Sequence, residues 1–168
     1  MAINTFRSRS SGATPVTPFR NLTHLLACGF GSGAAPVAPG TFGTVAAIPI
    51  YLLMLQLDAN LYLLLTAALF LVGIPICTRT ADDLGVHDHP GIVWDEIVGY
   101  LVTMIAAPPG WLWMVVGFVL FRIFDILKPW PIRTIDRKVA GGLGIMLDDL
   151  LAGLFSLLLL QLAAYYLI

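Results

Sequence analysis

Long apolar runs occupy most of this chain and restrict what it can fold into. Five runs are bounded by Gly, Pro or charged residues, at positions 44–57, 61–78, 92–107, 111–124 and 150–168. The 168 residues are 58% hydrophobic and only 11% charged, which is more apolar than a soluble domain. A membrane-spanning helix needs about 20 predominantly apolar residues. We therefore predict an all-α, polytopic membrane helix bundle with about five spanning helices.

The chain is predicted to hold one domain. Residues 1–20 carry positive charge but no apolar segment before a cleavage site, so they are expected to form a flexible tail rather than a signal peptide. Residues 21–168 are expected to form a single membrane-embedded domain. Cys28 and Cys77 show no CxxC or Cys/His spacing, which indicates two inert, buried thiols rather than a disulfide or zinc site.

Charge distribution decides between five crossings and fewer. The runs at 44–57 and 111–124 have about 14 residues each, a length that also suits re-entrant or interfacial segments. With five crossings, all nine basic residues fall on one side, and the two turns at 57–60 and 108–110 hold none. Basic residues accumulate on the cytoplasmic side. We therefore expect the N-terminus in the cytoplasm, together with Arg7, Arg9, Arg20, Arg79, Arg122, Lys128, Arg133, Arg137 and Lys138.

Acidic residues gather at the ends of the apolar runs on the same side. A carboxylate at the membrane interface is costly unless it is paired, hydrated or bound to a metal. A single acid there could simply be solvated, and a helix N-terminus also favours carboxylates through its dipole. Two adjacent pairs are harder to explain in this way. The pairs are Asp95-Glu96 and Asp148-Asp149, and Asp125 is a fifth acid at the end of an apolar run on this side.

Small residues follow the two acid pairs at helical spacing. Gly99 lies one turn after Asp95, and Gly153 lies one turn after Asp149. Such residues let helices approach closely in lipid, either as ordinary packing or to bring the acids together. Converging oxygen donors suit Mg²⁺, so we predict that Asp95, Glu96, Asp125, Asp148 and Asp149 hold one or two Mg²⁺ ions. The histidines at 24, 87 and 89 lack zinc-site spacing and are expected to have a minor role.

Basic residues lie beside Asp125. Arg122, Asp125 and Lys128 are three residues apart and would form one stripe while helical. Arg offers bidentate donors to a phosphate, and Lys offers a point charge. The positive-inside rule alone also predicts cations in this loop, and we favour that explanation for Arg137 and Lys138. The glycine-rich residues 29–44 could cradle a phosphate through backbone N–H groups or form a flexible entry loop. No lysine comes directly after the last glycine, as a Walker A motif requires, so nucleotide binding is unsupported.

These motifs together resemble the phosphatidylglycerophosphatase A family of bacterial phospholipid synthesis. The resemblance covers most of the chain beyond residue 20 and rests on segments 29–44, 85–96, 121–137 and 141–153. It implies Mg²⁺-dependent removal of the terminal phosphate of phosphatidylglycerophosphate to give phosphatidylglycerol, on the cytoplasmic face of the inner membrane.

The resemblance and the residue chemistry together suggest roles for the site residues. Expected catalytic residues are Asp95, Glu96, Asp125 and Asp149, and expected substrate-binding residues are Thr41, Arg122, Lys128 and Arg133. Attack by water and attack by a carboxylate nucleophile both stay open. The expected partners are a phospholipid substrate and the membrane, without nucleic acid or a known protein partner. The alternatives are a phosphatase for another lipid phosphate and an ion-coupled transporter, which would place its acids near mid-bilayer.

Overall fold

The regular structure of the chain is helical throughout the part that is described. The computed structural model describes residues 21–86 and 89–167, so the predicted tail at 1–20 and His87 lie outside it. The all-α prediction is confirmed over these ranges. The elements are α1 (Leu22–Ala27), a 3₁₀ segment (Gly29–Ala34), α2 (Pro39–Met54), α3 (Ala59–Leu84), α4 (Trp94–Thr103), α5 (Trp111–Leu127), α6 (Ile132–Lys138) and α7 (Gly141–Leu167).

Helix length separates two clear membrane candidates from the other apolar helices. Among the described residues, α3 with 26 and α7 with 27 are long and apolar enough to cross a membrane. At 1.5 Å per residue each is about 40 Å long, against a hydrocarbon core of about 30 Å. Helices α2 and α5 measure about 25 Å, and the ten-residue α4 only about 15 Å. Five crossings therefore stay a prediction.

Several helix boundaries differ from those that the apolar runs suggested, and two of these differences move predicted site residues or shorten a predicted span. The run at 92–107 ends as a helix at Thr103, because the backbone turns at Ala106 (φ 52°) ahead of two prolines that cannot continue a helix. The last helix begins at Gly141, so Asp148 and Asp149 lie two turns inside it and not at its start. Its glycine-rich first turns are held by packing: the Gly142 N–H donates to Thr78 Oγ1 at 3.0 Å. Tertiary packing thus overrides the low helix propensity of glycine.

The five longer helices alternate in direction. At one end, the start of α7 packs against the last third of α3. At the other, the Gln161 side chain near the end of α7 donates to the Ile105 and Ala106 carbonyls, both at 2.9 Å, just after α4. We call the first end, formed by the C-terminal ends of α3 and α5 and the N-terminal ends of α2, α4 and α7, the charged end. Basic residues in the described ranges lie at this end.

Helices α4 and α7 cross in close contact through two glycines. A Cβ atom built on Gly153 would lie 2.6 Å from the Gly99 carbonyl oxygen, and one on Gly99 would lie 2.9 Å from the Asp149 carbonyl oxygen. Cβ atoms in real proteins are essentially never found this close to another heavy atom, so alanine at either position would require the two helices to shift. The predicted close approach of the small-residue faces is confirmed. It sets the first turn of α4 beside the third turn of α7.

Both cysteines are buried, and they form no disulfide bond with each other. Burial raises the pKa of the Cys28 thiol to about 11, so the thiol stays protonated and poorly reactive at neutral pH. The prediction of two inert packing residues agrees with this environment.

Replacing Gly153 with valine is expected to destabilise the bundle. The added side chain must push α4 and α7 apart, at a cost of about 1–3 kcal/mol, which corresponds to a fall in Tm of about 5 °C in detergent. Ala68→Val on the exposed face of α3 is the matched control and should leave Tm nearly unchanged. An equal effect of the two substitutions would contradict the close glycine contact.

Candidate active site

A cavity of about 360 Å³ opens at the charged end. Its walls come from the start of α2, the first turn of α4, the end of α5 and the third turn of α7. All five predicted acids and two of the predicted cations line it. Its charged lining residues are Asp95, Glu96, Arg122, Asp125, Lys128, Asp136, Asp148 and Asp149.

Three carboxylates converge inside this cavity. One oxygen from each of Asp95, Glu96 and Asp149 lies within 4.8 Å of the others. Asp95 and Asp149 are 8% and 3% exposed, so water screens these like charges poorly. Within the described ranges, Glu96 Oε2 and Asp149 Oδ2 are buried without a hydrogen-bond partner. A hard divalent cation with oxygen ligands fits this donor set, because it would neutralise the cluster and occupy the free oxygens.

Local structure explains how the three acids meet. Asp95 and Glu96 occupy the first turn of α4, whose N-cap residue Val93 makes no side-chain capping bond. The unpaired N–H groups and the dipole at that helix end favour negative charge. Asp149 arrives from α7 because the Gly99–Gly153 contact brings the two backbones together.

Asp125 lies beside this cluster but has a cation of its own. Arg122, one turn earlier on α5, places Nη1 at 2.5 Å from Asp125 Oδ2 and 4.0 Å from Glu96 Oε1. The guanidinium therefore pairs with Asp125 and also faces Glu96 of the three-acid cluster. It can balance part of their charge and still face the cavity.

Lys128 holds the other predicted ligand, Asp148. This lysine follows α5 as its C-cap in a left-handed conformation (φ 43°), so the predicted helical stripe ends one residue before it. Its Nζ donates to Asp148 Oδ2 at 2.5 Å and to Asp136 Oδ1 at 2.7 Å. Burial lowers the pKa of Lys128, but the two carboxylates outweigh that effect and raise it overall. Lys128 is thus a fixed cation in the cavity wall.

The acid at position 136 was not among the predicted site residues. Asp136 comes from the short helix α6, and its position beside Lys128 depends on the turn through Pro129 and Pro131. Only its place in the family-like segment 121–137 pointed to it from the sequence.

The N-terminus of α2 forms the remaining wall. Pro39 is the first helical residue, after Ala38 in a left-handed conformation (φ 49°), and no side chain caps the helix. A Cβ on Gly40 would clash with Glu96 Oε1 and lie 3.1 Å from Arg122 Nη1, so a larger residue here would displace these side chains. The N-terminal end of α2 therefore lies next to the cavity with the positive end of its dipole, although Pro39 has no N–H and the Thr41 and Phe42 N–H groups donate to the Ala38 carbonyl.

Two predicted substrate-binding residues do not line this cavity. Thr41 follows Gly40 in α2, and Gly40 is the last residue of this helix that lines the cavity. Arg133 lines a separate cavity and donates from Nη2 to the Leu127 carbonyl at 3.2 Å. His24 and His89 have structural partners, since His24 Nε2 lies 3.1 Å from Asp83 Oδ2 and His89 Nδ1 accepts from the Gly91 N–H.

Replacing Lys128 with methionine is expected to destabilise the protein by about 3 kcal/mol, because Asp148 would stay buried without its cation. The double variant Lys128→Met/Asp148→Asn should recover part of the loss. Since the pKa of Lys128 is raised, its contribution is fully present below the ordinary lysine pKa of about 10.4 and is lost only above it. Thermal unfolding should thus show the same difference in stability between the parent and Lys128→Met at pH 6 and at pH 9. A Lys128→Met variant as stable as the parent would contradict the buried ion pair.

Comparisons with known proteins agree on one family. The family model described as Phosphatidylglycerophosphatase A matches residues 25–164. The chain is 53% identical to Phosphatidylglycerophosphatase A of Escherichia coli strain K12, over 81% of this chain and 80% of the relative. It is 45% identical to the Haemophilus influenzae protein of that name, over 88% and 92%.

A third relative has a different name. A Bacteroides thetaiotaomicron protein, named provisionally as a phosphatidylinositol-3-phosphatase, is 38% identical over 84% of this chain and 92% of its own length. No solved structure matches the chain. The family match, the two relatives of the same name and the acid-lined cavity lead to one conclusion: this chain is an enzyme that belongs to the phosphatidylglycerophosphatase A family.

Proposed function

We propose that this enzyme hydrolyses the terminal phosphomonoester of phosphatidylglycerophosphate, with Mg²⁺, to give phosphatidylglycerol and phosphate. The family and the names of two relatives support the substrate. The observation that carries the metal requirement is the cluster of Asp95, Glu96 and Asp149, with two buried oxygens that lack partners in the described ranges. An uncompensated cluster of this kind is costly to bury.

The residues around the cluster are suited to hold a phosphate. Arg122 offers a planar set of donors at the cavity wall, and Lys128 adds a fixed positive charge. The N-terminal end of α2 adds the positive end of a helix dipole. These groups would bind the three outer oxygens of a phosphomonoester and stabilise the charge that they carry in the transition state.

Asp95, Glu96 and Asp149 would hold the Mg²⁺ ion, which when bound supplies Lewis-acid polarisation of the phosphoryl group. Asp125 and Asp148 stay predictions as ligands, because each lies against a cation.

Hydrolysis transfers the phosphoryl group to water. The water oxygen forms the new bond to phosphorus, the bond to the glycerol oxygen breaks, and that oxygen takes up a proton. We assign Asp125, which lines the same cavity but stands outside the three-acid cluster, to accept the proton of the water. Attack by a carboxylate is the other route, and trapping in isotopically labelled water separates the two.

The proposal includes a location. Two helices that are long and apolar enough to cross a membrane indicate membrane association. We place the protein in the cytoplasmic membrane of a bacterium with five crossings and the charged end in the cytoplasm. Alternating helix directions and the basic residues at one end support this topology.

A phosphatase for another lipid phosphate is the second candidate. The relative named for phosphatidylinositol-3-phosphatase activity favours it, because its named substrate also carries a phosphomonoester on a lipid headgroup. Direct comparison of the two lipids as substrates decides between them.

The proposed metal site predicts the behaviour of two variants. Purified protein in nonionic detergent should hydrolyse phosphatidylglycerophosphate with Mg²⁺ and lose activity when the metal is chelated. Asp95→Asn and Asp149→Asn should each lower kcat on the order of 100-fold or more, since even outer contacts of a metal site are worth 10–100-fold.

The matched control for these variants is Asp58→Asn. Asp58 caps the start of α3, away from the charged end, through bonds of 3.0 and 3.1 Å to the N–H groups of Asn60 and Leu61. Asparagine caps a helix about as well, so this variant should behave as the parent. Full activity of both site variants would refute the metal site, and activity on the inositol lipid alone would refute the substrate.

Cysteine labelling tests the topology. An impermeant maleimide should label Asn60→Cys in intact cells, whereas Lys138→Cys should react only after the membrane is opened. The native thiols are buried and should contribute little background. The reverse pattern would contradict a cytoplasmic charged end.

A further inference from the structure

A second cavity, with a different charge, lies next to the acid-lined one. It has a volume of about 370 Å³ and forms around the turn between α5 and α6. Four of its lining residues are cations, and no carboxylate is among its lining residues in the described ranges. We call it the basic cavity; its cations are Lys128, Arg133, Arg137 and Lys138.

Lys128 joins the two cavities. It lines both of them, and its Nζ bonds Asp148 and Asp136 on the side of the acid-lined cavity. A ligand that reaches from one cavity to the other would therefore pass this lysine. The remaining three cations face only the basic cavity.

The side chain of Trp130 indicates the depth of the basic cavity relative to a lipid bilayer. Its side chain lines the cavity and is 82% exposed. Exposed tryptophan is enriched where lipid headgroups meet the hydrocarbon core. The basic cavity thus lies where the headgroup phosphates of a bilayer would be found.

We propose that the basic cavity binds the phosphodiester of the same lipid whose phosphomonoester is hydrolysed in the acid-lined cavity. This inference rests on the proposed function. Phosphatidylglycerophosphate carries two phosphates joined by one glycerol unit, and only the outer one is removed. The acid-lined cavity suits the reacting group, while a cavity of cations without carboxylates suits a phosphate that must be held and left intact.

The names of the relatives are consistent with a two-phosphate ligand. Phosphatidylglycerophosphate and phosphatidylinositol 3-phosphate differ in the alcohol between their phosphates, yet each has a phosphomonoester beyond a phosphodiester. A diester subsite gives selectivity for such lipids over phosphatidic acid, whose single phosphate is a monoester.

The test uses the double variant Arg137→Gln/Lys138→Gln, because both side chains are exposed and their loss should leave Tm unchanged. In nonionic detergent without other anionic lipid, we expect KM for phosphatidylglycerophosphate to rise on the order of tenfold with kcat nearly unchanged. Phosphatidylglycerol, which keeps only the diester, should inhibit the variant more weakly by a similar factor. Inhibition by phosphatidic acid should stay the same.

Arg79→Gln is the matched control, since Arg79 is an exposed cation at the charged end that does not line the basic cavity. It should leave all three measurements unchanged. Equal weakening for phosphatidic acid and phosphatidylglycerol would overturn the proposal in favour of general charge attraction. An effect that appears only when anionic lipid is added would overturn the proposal, because the basic cavity would then bind a neighbouring lipid and not the substrate. No effect of the double variant would also overturn it, because Arg137 and Lys138 would then be solvated cations without a ligand. Failure of the proposed function would show separately, as a parent protein inactive on phosphatidylglycerophosphate.

Discussion

Mutual repulsion among buried carboxylates is the constraint around which the charged end is organised. Asp95, Glu96 and Asp149 bring oxygens within 4.8 Å of one another in a region that water reaches poorly. Such a cluster persists only when other contacts force it and opposite charge offsets it. The force comes from helix packing, and part of the offset comes from Arg122, whose Nη1 lies 4.0 Å from Glu96 Oε1.

The contact between α4 and α7 connects fold and site. Helix α4 has only ten residues, yet nearly all of them are buried, so its position is set by its neighbours rather than by its length. Gly99 and Gly153 allow the backbones to approach until a Cβ would lie 2.6 Å from a carbonyl oxygen. The same contact that anchors the short helix aligns its acidic first turn with Asp149.

Sequence patterns predicted the helical class and the meeting of the acids. They did not predict which side chains contact one another at the site. The glycines one turn after each acid pair correctly indicated which helices pack together. Consecutive residues on a helix point about 100° apart, so Asp148 and Asp149 face different partners, and only Asp149 reaches the three-acid cluster. Thr41 and Arg133 were predicted as site residues because they lie close in sequence to other site residues. Neither lines the acid-lined cavity, because the backbone conformation at each position decides which side chains reach it.

We propose that a divalent cation binds between α4 and α7. Mn²⁺ is a paramagnetic substitute for Mg²⁺, and its binding to purified protein can be followed by electron paramagnetic resonance without any substrate. The account predicts saturable binding by the parent and by Asp58→Asn, competition by Mg²⁺, and affinity at least about tenfold lower in Asp149→Asn. Equal affinity in parent and Asp149→Asn, or no binding by the parent, would contradict it.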